Sequence, residues 1–128
     1  MEAHRRWFED ASAHPYAVLV AERGGEVLAW GCLHRFGSKP AYRFTTENSV
    51  YVRADVRGQG VGKAVLEALL AKAAANGFRS VIARVTVDNP VSVQLHERLG
   101  FRTVGVEREV GYKFERWLDV VVMQRPLG

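Results

Sequence analysis

Arg57-Gly58-Gln59-Gly60-Val61-Gly62-Lys63 is the stretch from which the rest of the chain can be read. It follows Ser49-Val50-Tyr51-Val52, a run of strand character, and leads into a run of helical character from Ala64 to Ala75. A glycine-rich turn between a strand and a helix lets backbone N–H groups converge on an anion at the positive end of the helix. Three glycines leave no Cβ between that backbone and its ligand. The ligand expected is a phosphate or pyrophosphate, with a ligand-free glycine turn as the alternative. Two phosphate loops fail on spacing. A Walker A loop needs glycine where Arg57 stands and Ser or Thr where Ala64 stands. A dinucleotide fingerprint, Gly-x-Gly-x-x-Gly, is one residue longer than Gly58-x-Gly60-x-Gly62. The pattern that survives is Arg-x-x-Gly-x-Gly.

Outward from the loop, the chain reads as alternating short elements. Val61, Val65, Leu66, Leu69, Leu70 and Ala73 share one face of a helix over 61–76, and Asn76-Gly77 stops it. Ser80 to Thr86 is an apolar run of parallel-sheet type. Asp88-Asn89-Pro90 opens a second helix, with proline in its first turn, and Leu99-Gly100 closes it. Arg102–Val110 and Arg116–Gln124 are expected as strands, joined by a hairpin in the Gly111 region. Upstream, Phe44–Val52, Glu26–Phe36 and Tyr16–Arg23 are strands, with Gly24-Gly25 as a two-residue hairpin turn. Gly37 to Tyr42 is a loop. Trp7, Phe8 and Ala11 suit a short amphipathic helix over 2–13, ended by His14-Pro15. The order α, β, β, β, α, β, α, β, β describes an α+β mixed sheet flanked by helices.

Composition narrows the class. The chain has 128 residues, 48% hydrophobic and 25% charged, which suits one domain over 1–128 with a single core. No apolar run approaches the roughly 18 residues of a membrane span, and no apolar segment follows the N-terminal Met-Glu-Ala-His-Arg-Arg. Neither a membrane span nor a signal peptide is therefore expected. Cys32 is the only cysteine, so a reducing cytoplasm and a buried, inert thiol are expected. The net charge of +4 favours anionic ligands. Basic residues are scattered, with Arg5-Arg6 the only adjacent pair, which argues against nucleic acid. No metal site is expected.

Arg57-x-x-Gly60-x-Gly62 resembles the pyrophosphate-binding loop of the GNAT superfamily of acetyl-CoA-dependent N-acetyltransferases. A second motif agrees. Members of that superfamily carry Asn, then Ala or Ser three on, Tyr seven on, and then Gly-Phe. Here Asn89, Ser92, His96 and Gly100-Phe101 fall on those positions, with histidine replacing the tyrosine. The chain is similar in particular to phosphinothricin and methionine sulfoximine N-acetyltransferases at three places: Ala41–Val52, Ser92–Phe101, and Gly111-Tyr112-Lys113 with Trp117 and Asp119-Val120 after it. The resemblance implies an α/β/α sandwich with a mixed, mostly antiparallel sheet. The element order matches that fold from its second helix onward, without its usual first strand and first helix. It also implies acetyl-CoA as cofactor, a small amino-acid-like amine as acceptor, direct transfer in a ternary complex, and a homodimer. A CoA-binding module without transfer activity and a peptide or protein N-acetyltransferase are the alternatives.

Acetyl transfer to an amine needs a base for the ammonium, a donor for the developing oxyanion and an acid for the leaving thiolate. Glu47 is the candidate base. It interrupts an apolar strand, where an unpaired carboxylate is costly and burial raises its pKa. An ion pair with Arg43 is the bland alternative. His96 is the candidate acid, or a residue that positions the thiolate, because imidazole holds a proton near neutral pH. Its alternative is a capped core or surface histidine. His4, His14 and His34 read as structural. Asn89 and Ser92 suit helix capping, and the resemblance adds hydrogen bonds to pantetheine or phosphates. By the same resemblance, Val50, Tyr51 and Val52 offer backbone groups to the pantetheine amides, one N–H facing the thioester oxygen. Gly58, Gln59, Gly60, Val61, Gly62 and Lys63 hold the pyrophosphate, and Arg57 and Lys63 add charge. The loop from Phe36 to Lys39 lies near the acceptor, with Tyr42 and Arg43, whose guanidinium suits a carboxylate or phosphinate. Tyr112 and Lys113 close the pocket from the last hairpin.

Overall fold

The computed structural model describes residues 6–9, by their backbone alone, and residues 15–128. Seven strands form one sheet: β1 (Arg6–Glu9), β2 (Val18–Arg23), β3 (Glu26–Arg35), β4 (Thr45–Val52), β5 (Ser80–Thr86), β6 (Arg102–Lys113) and β7 (Arg116–Pro126). Their order across the sheet is β1-β2-β3-β4-β5-β7-β6. Every neighbouring pair is antiparallel except β4–β5, which is parallel. Helix α1 (Val61–Ala75) makes the crossover between those two, and α2 (Pro90–Arg98) follows β5.

Two expectations are corrected. The helix over 2–13 is absent where it can be seen: Arg6–Glu9 is a strand, paired from Arg6↔Glu22 to Glu9↔Leu19. Trp7, Phe8 and Ala11 alone fit either period, and the free edge of β2 decides the matter. The rest of that segment, with His4 and His14, lies outside the described residues. The last hairpin turns at Phe114-Glu115, with φ of +54° and +59°, and not at Gly111. Two-residue turns with both φ positive normally carry Asn-Gly, so Phe-Glu gave no signal. Gly111 instead pairs with Leu118 just after an irregularity in β6. There Glu109, at φ +53°, donates its N–H to Asp119 Oδ1 at 2.8 Å.

The core explains how the site is held. Val61, Val65, Leu66, Leu69 and Ala73 of α1 are buried, as their spacing requires, against Leu28, Ala29, Leu33 and Val81 of the sheet. Each buried Val or Leu among them contributes about 1.5–3 kcal/mol relative to exposure. The helix rests on Gly31 of β3. A Cβ there would meet Leu69 Cδ1 and Val65 Cγ1 at 2.8 Å and the Ser49 carbonyl oxygen at 2.9 Å. Strand alternation puts Trp30, Cys32, His34, Glu47, Ser49 and Tyr51 on the opposite face. Trp30 and Tyr51 stack there with ring centroids 4.5 Å apart. Cys32 is only partly buried, and that burial pushes its thiol above the usual range.

Candidate active site

The site begins where the parallel pairing ends. β4 and β5 are paired only from Thr45↔Ser80 to Asn48↔Ala83. Beyond that point β4 stays with β3, as far as Val52↔Ala29, and β5 stays with β7, as far as Thr86↔Val120. The strands part and open a groove of about 740 Å³. Its walls are 48–52 of β4, the glycine loop, the end of β5 and one side of α2. Just past β4, Arg53 N–H donates to Leu28 O. Antiparallel strands alternate, so Tyr51 also turns its backbone to β3, while Val50 and Val52 turn theirs to the groove. Of the three backbone segments expected to meet a ligand, two face it.

One end of the groove has the geometry of an anion cradle. Gly58 and Gly60 have φ of +80° and +79°, a region that residues with a Cβ avoid. Gly60 is the N-cap of α1, with no side-chain cap and no acidic residue in the first turn, so the positive end of the helix is left bare. Gly62 lets three elements meet: a Cβ would lie 3.1 Å from Val52 Cγ2 and 3.5 Å from Leu95 Cδ2. Arg57, Gln59 and Lys63 flank the loop; Arg57 and Gln59 are exposed, and Lys63 Nζ lies 3.7 Å from Glu67 Oε1. Val61 is buried in the core and offers only backbone.

The α2 wall is built around a buried histidine. Asn89 caps the helix, its Oδ1 accepting from Ser92 N–H at 3.3 Å. The Ser92 carbonyl accepts from His96 Nδ1 at 2.7 Å, and His96 Nε2 lies 3.2 Å from Asn48 Nδ2. The ring is 3% exposed and edge-on to Phe101. A neutral imidazole satisfies both contacts, donating from Nδ1 and accepting at Nε2. Burial holds its pKa below the ordinary 6.5, the bond to Ser92 opposing. Asn48 Oδ1, buried at the same place, has no hydrogen-bond partner among the described residues. As it stands, His96 has the geometry of a capped core histidine.

That burial has a measurable consequence. The unfolded chain takes up a proton at this residue before the folded chain does, so stability falls as pH drops through about 6.5. The slope contributed is at most about 1.4 kcal/mol per pH unit and ends at the folded pKa. Urea unfolding of the protein and of His96→Gln, from pH 7.5 to 5.0, is expected to show the extra loss only with histidine. Parallel pH profiles for the two proteins contradict it.

On the opposite face, Glu47 is the centre of a polar cluster. Its side chain is 18% exposed, and Oε1 accepts from Arg84 Nη1 at 2.8 Å. Its Oε2 is 4.0 Å from His34 Nε2, which lies 3.1 Å from Ser49 Oγ. Arg84 Nε is 3.3 Å from Glu107 Oε1, and its guanidinium flanks the Phe36 ring at 5.8 Å. Glu47 is therefore not unpaired, and its partner is Arg84 and not Arg43. Arg43 donates to Pro40 O at 2.9 Å and lies over Phe44, because it ends the 3₁₀ turn Pro40–Tyr42. Tyr42 packs edge-on against Phe36, and Lys39 is exposed. Tyr112 pairs across the hairpin with Trp117, and Lys113 lies over Phe114. No hydrogen bond or ion pair joins Lys39, Arg43, Tyr112 or Lys113 to Glu47 among the described residues.

Sequence reasoning missed Arg84, His34, Asn48 and Glu107. For Arg84 a signal existed. It is the one charged residue within the apolar run Val81–Val85, the same anomaly that singled out Glu47. Among the described residues no helix is long and apolar enough to cross a membrane, and no group of three or more His, Cys, Asp or Glu could hold a metal ion.

A sequence model of the acetyltransferase (GNAT) family matches residues 1–101. Phosphinothricin N-acetyltransferase of Alcaligenes faecalis is 46% identical over 115 residues, which cover 89% of this chain and 57% of that protein. L-methionine sulfoximine/L-methionine sulfone acetyltransferase of Pseudomonas aeruginosa is 41% identical over 119 residues, 92% of this chain and 69% of that protein. The crystal structure of a GNAT superfamily phosphinothricin acetyltransferase from Sinorhizobium meliloti, in complex with acetyl-CoA, superposes with a TM-score of 0.86 at 40% identity. It covers 91% of this chain and 64% of the other.

Proposed function

The chain belongs to the GNAT family of acetyltransferases, and from that premise we propose that it transfers acetyl from acetyl-CoA to the amine of a small amino-acid-like substrate. The substrate class is that of phosphinothricin or methionine sulfoximine, and the amine attacks directly in a ternary complex. The observation that carries this reading is the groove between the parting strands. It runs from a bare helix N-terminus, past the inward-turned backbone of Val50 and Val52, to Arg84, which is bonded to Glu47. The residues fit the cofactor: the glycine loop takes the pyrophosphate without a Cβ in the way, and the free β4 backbone takes the pantetheine as an added strand.

When bound, acetyl-CoA supplies an activated thioester. The protein supplies the rest. An N–H of β4 at the groove donates to the carbonyl oxygen as charge develops there. Glu47 receives the proton of the acceptor ammonium, directly or through water. Asn89 and Ser92 present the α2 terminus to the groove, with Arg57 and Lys63 adding positive charge. His96 can serve the departing thiolate only after taking a proton at Nε2 and giving up its bond from Asn48. Phe36, Lys39, Tyr42 and Arg43 form the approach for the acceptor, with Tyr112 of the last hairpin. The proposal includes one domain over 1–128, a cytoplasmic setting suited to a single free thiol, and a homodimer joined near the exposed Tyr112, Phe114 and Trp117.

Thiol release from acetyl-CoA, measured with phosphinothricin, methionine sulfoximine and the common amino acids, tests the reading. Release that depends on at least one of these amines is expected. Tight CoA binding with no release on any of them reduces the protein to a CoA-binding module.

A further inference from the structure

We propose that Arg84 is the residue that recognises the acid group of the acceptor, and that the Glu47–Arg84 ion pair is the mould for a zwitterion. The inference rests on the acetyl-transfer reading and adds the acceptor's second contact. Arg84 lines the groove and shares a sheet face with Glu47, placed there by the β4–β5 register. Its side chain is 40% exposed, against 18% for Glu47, so an arriving ligand reaches the cation first. One N–H on Nη1 donates to Glu47, and Nε lies 3.3 Å from Glu107 Oε1 in an ion pair. Both N–H groups on Nη2 are without a partner among the described residues. That free edge matches a planar carboxylate. Glu107 on one side and the Phe36 ring on another fix the guanidinium plane.

Charge complements this geometry. Glu47, Arg84 and Glu107 together carry one excess negative charge, which favours a ligand with an ammonium. An α-amino acid bears its ammonium and carboxylate on a single carbon. Set antiparallel to an ion pair 2.8 Å long, its ammonium lies against Glu47 and its carboxylate against Arg84. The acceptor then loosens the internal pair by competing for each partner, and the amine is delivered to the group that must take its proton. Arg43, engaged with Pro40 and Phe44, does not share this arrangement.

The test compares L-methionine sulfone with its α-carboxamide as acceptors, for the wild type, Arg84→Met and Arg84→Lys. The wild type is expected to favour the acid about 50-fold in kcat/KM, mostly through KM. Arg84→Met is expected to bring the two acceptors within about threefold, with Arg84→Lys between. The amide's lower amine pKa cancels, because variants are compared on the same pair. An equal fall on both acceptors makes Arg84 only a brace for Glu47 and overturns the proposal, as does an unchanged preference. Calorimetric titration of L-methionine sulfone into the wild type and Arg84→Met reads the same contact without transfer. Weaker binding by about the same factor is expected, and equal affinities overturn it. A wild type that binds the amino acid through Arg84 but never releases thiol sinks the transfer reading alone. A wild type that transfers acetyl with no role for Arg84 sinks this assignment alone, and one that does neither sinks both.

Discussion

Glu47→Gln lowers the turnover of acetyl transfer by about 10²- to 10⁴-fold and leaves CoA affinity within about twofold. Glutamine keeps the shape of the side chain and can still accept from Arg84 Nη1, so the sheet is undisturbed. What it cannot do is take a proton from an ammonium. The proposed cofactor cradle lies on other residues, which separates the two readouts. Below the amine's own pKa, the residual rate should rise about tenfold per pH unit, because only the amine deprotonated by solvent then reacts. Steady-state rates at saturating acetyl-CoA, followed over pH, and a CoA titration of the same protein check both parts. Unchanged turnover removes Glu47 from the chemistry and returns it to the structural role of holding Arg84.

Gly31→Val is expected to cost about 3 kcal/mol of stability. The first added carbon would already stand 2.8 Å from Leu69 and Val65, and 2.9 Å from the carbonyl of Ser49. Side chains can rotate away, but that carbonyl is fixed in the β3–β4 ladder. Relief therefore comes from lifting α1 off the sheet. The effect is not confined to stability, because the N-terminus of α1 carries the proposed anion cradle. CoA binding should weaken in the fraction that stays folded, while Gly31→Ala should show both effects at a smaller scale. Urea unfolding with an unchanged m-value reads the first part and calorimetry the second. A loss below about 1 kcal/mol would show that the helix already sits loosely.

Gly31 also marks what the residues could not reveal. The glycine loop, the capping Asn89 and the apolar face of α1 announce themselves locally, through residue types at fixed offsets. So did the Glu47 anomaly, though not its partner. Whether a carboxylate in a strand meets Arg43, four residues back, or Arg84, on another strand, depends on a register that only the folded sheet defines. The same holds for His96. Its motif position pointed to the groove, but its neutral, doubly bonded state follows from Asn48, brought to it by a strand 48 residues earlier. The misplaced hairpin has a different cause. Glycine was read as a turn where it pairs within a strand, and the true turn uses two residues without turn preference.

Strand order carries one more consequence, for the growing chain. β7 lies between β5 and β6, yet it is synthesised after both. When β6 leaves the ribosome it has no ladder to join. Its backbone N–H and C=O groups wait for a strand not yet made. The half of the sheet that carries Arg84 can therefore be completed only after synthesis has passed β7, while β2, β3, β4 and α1 can already be assembled. Translation thus supplies the glycine loop and α1 before the strand that completes the sheet around Arg84.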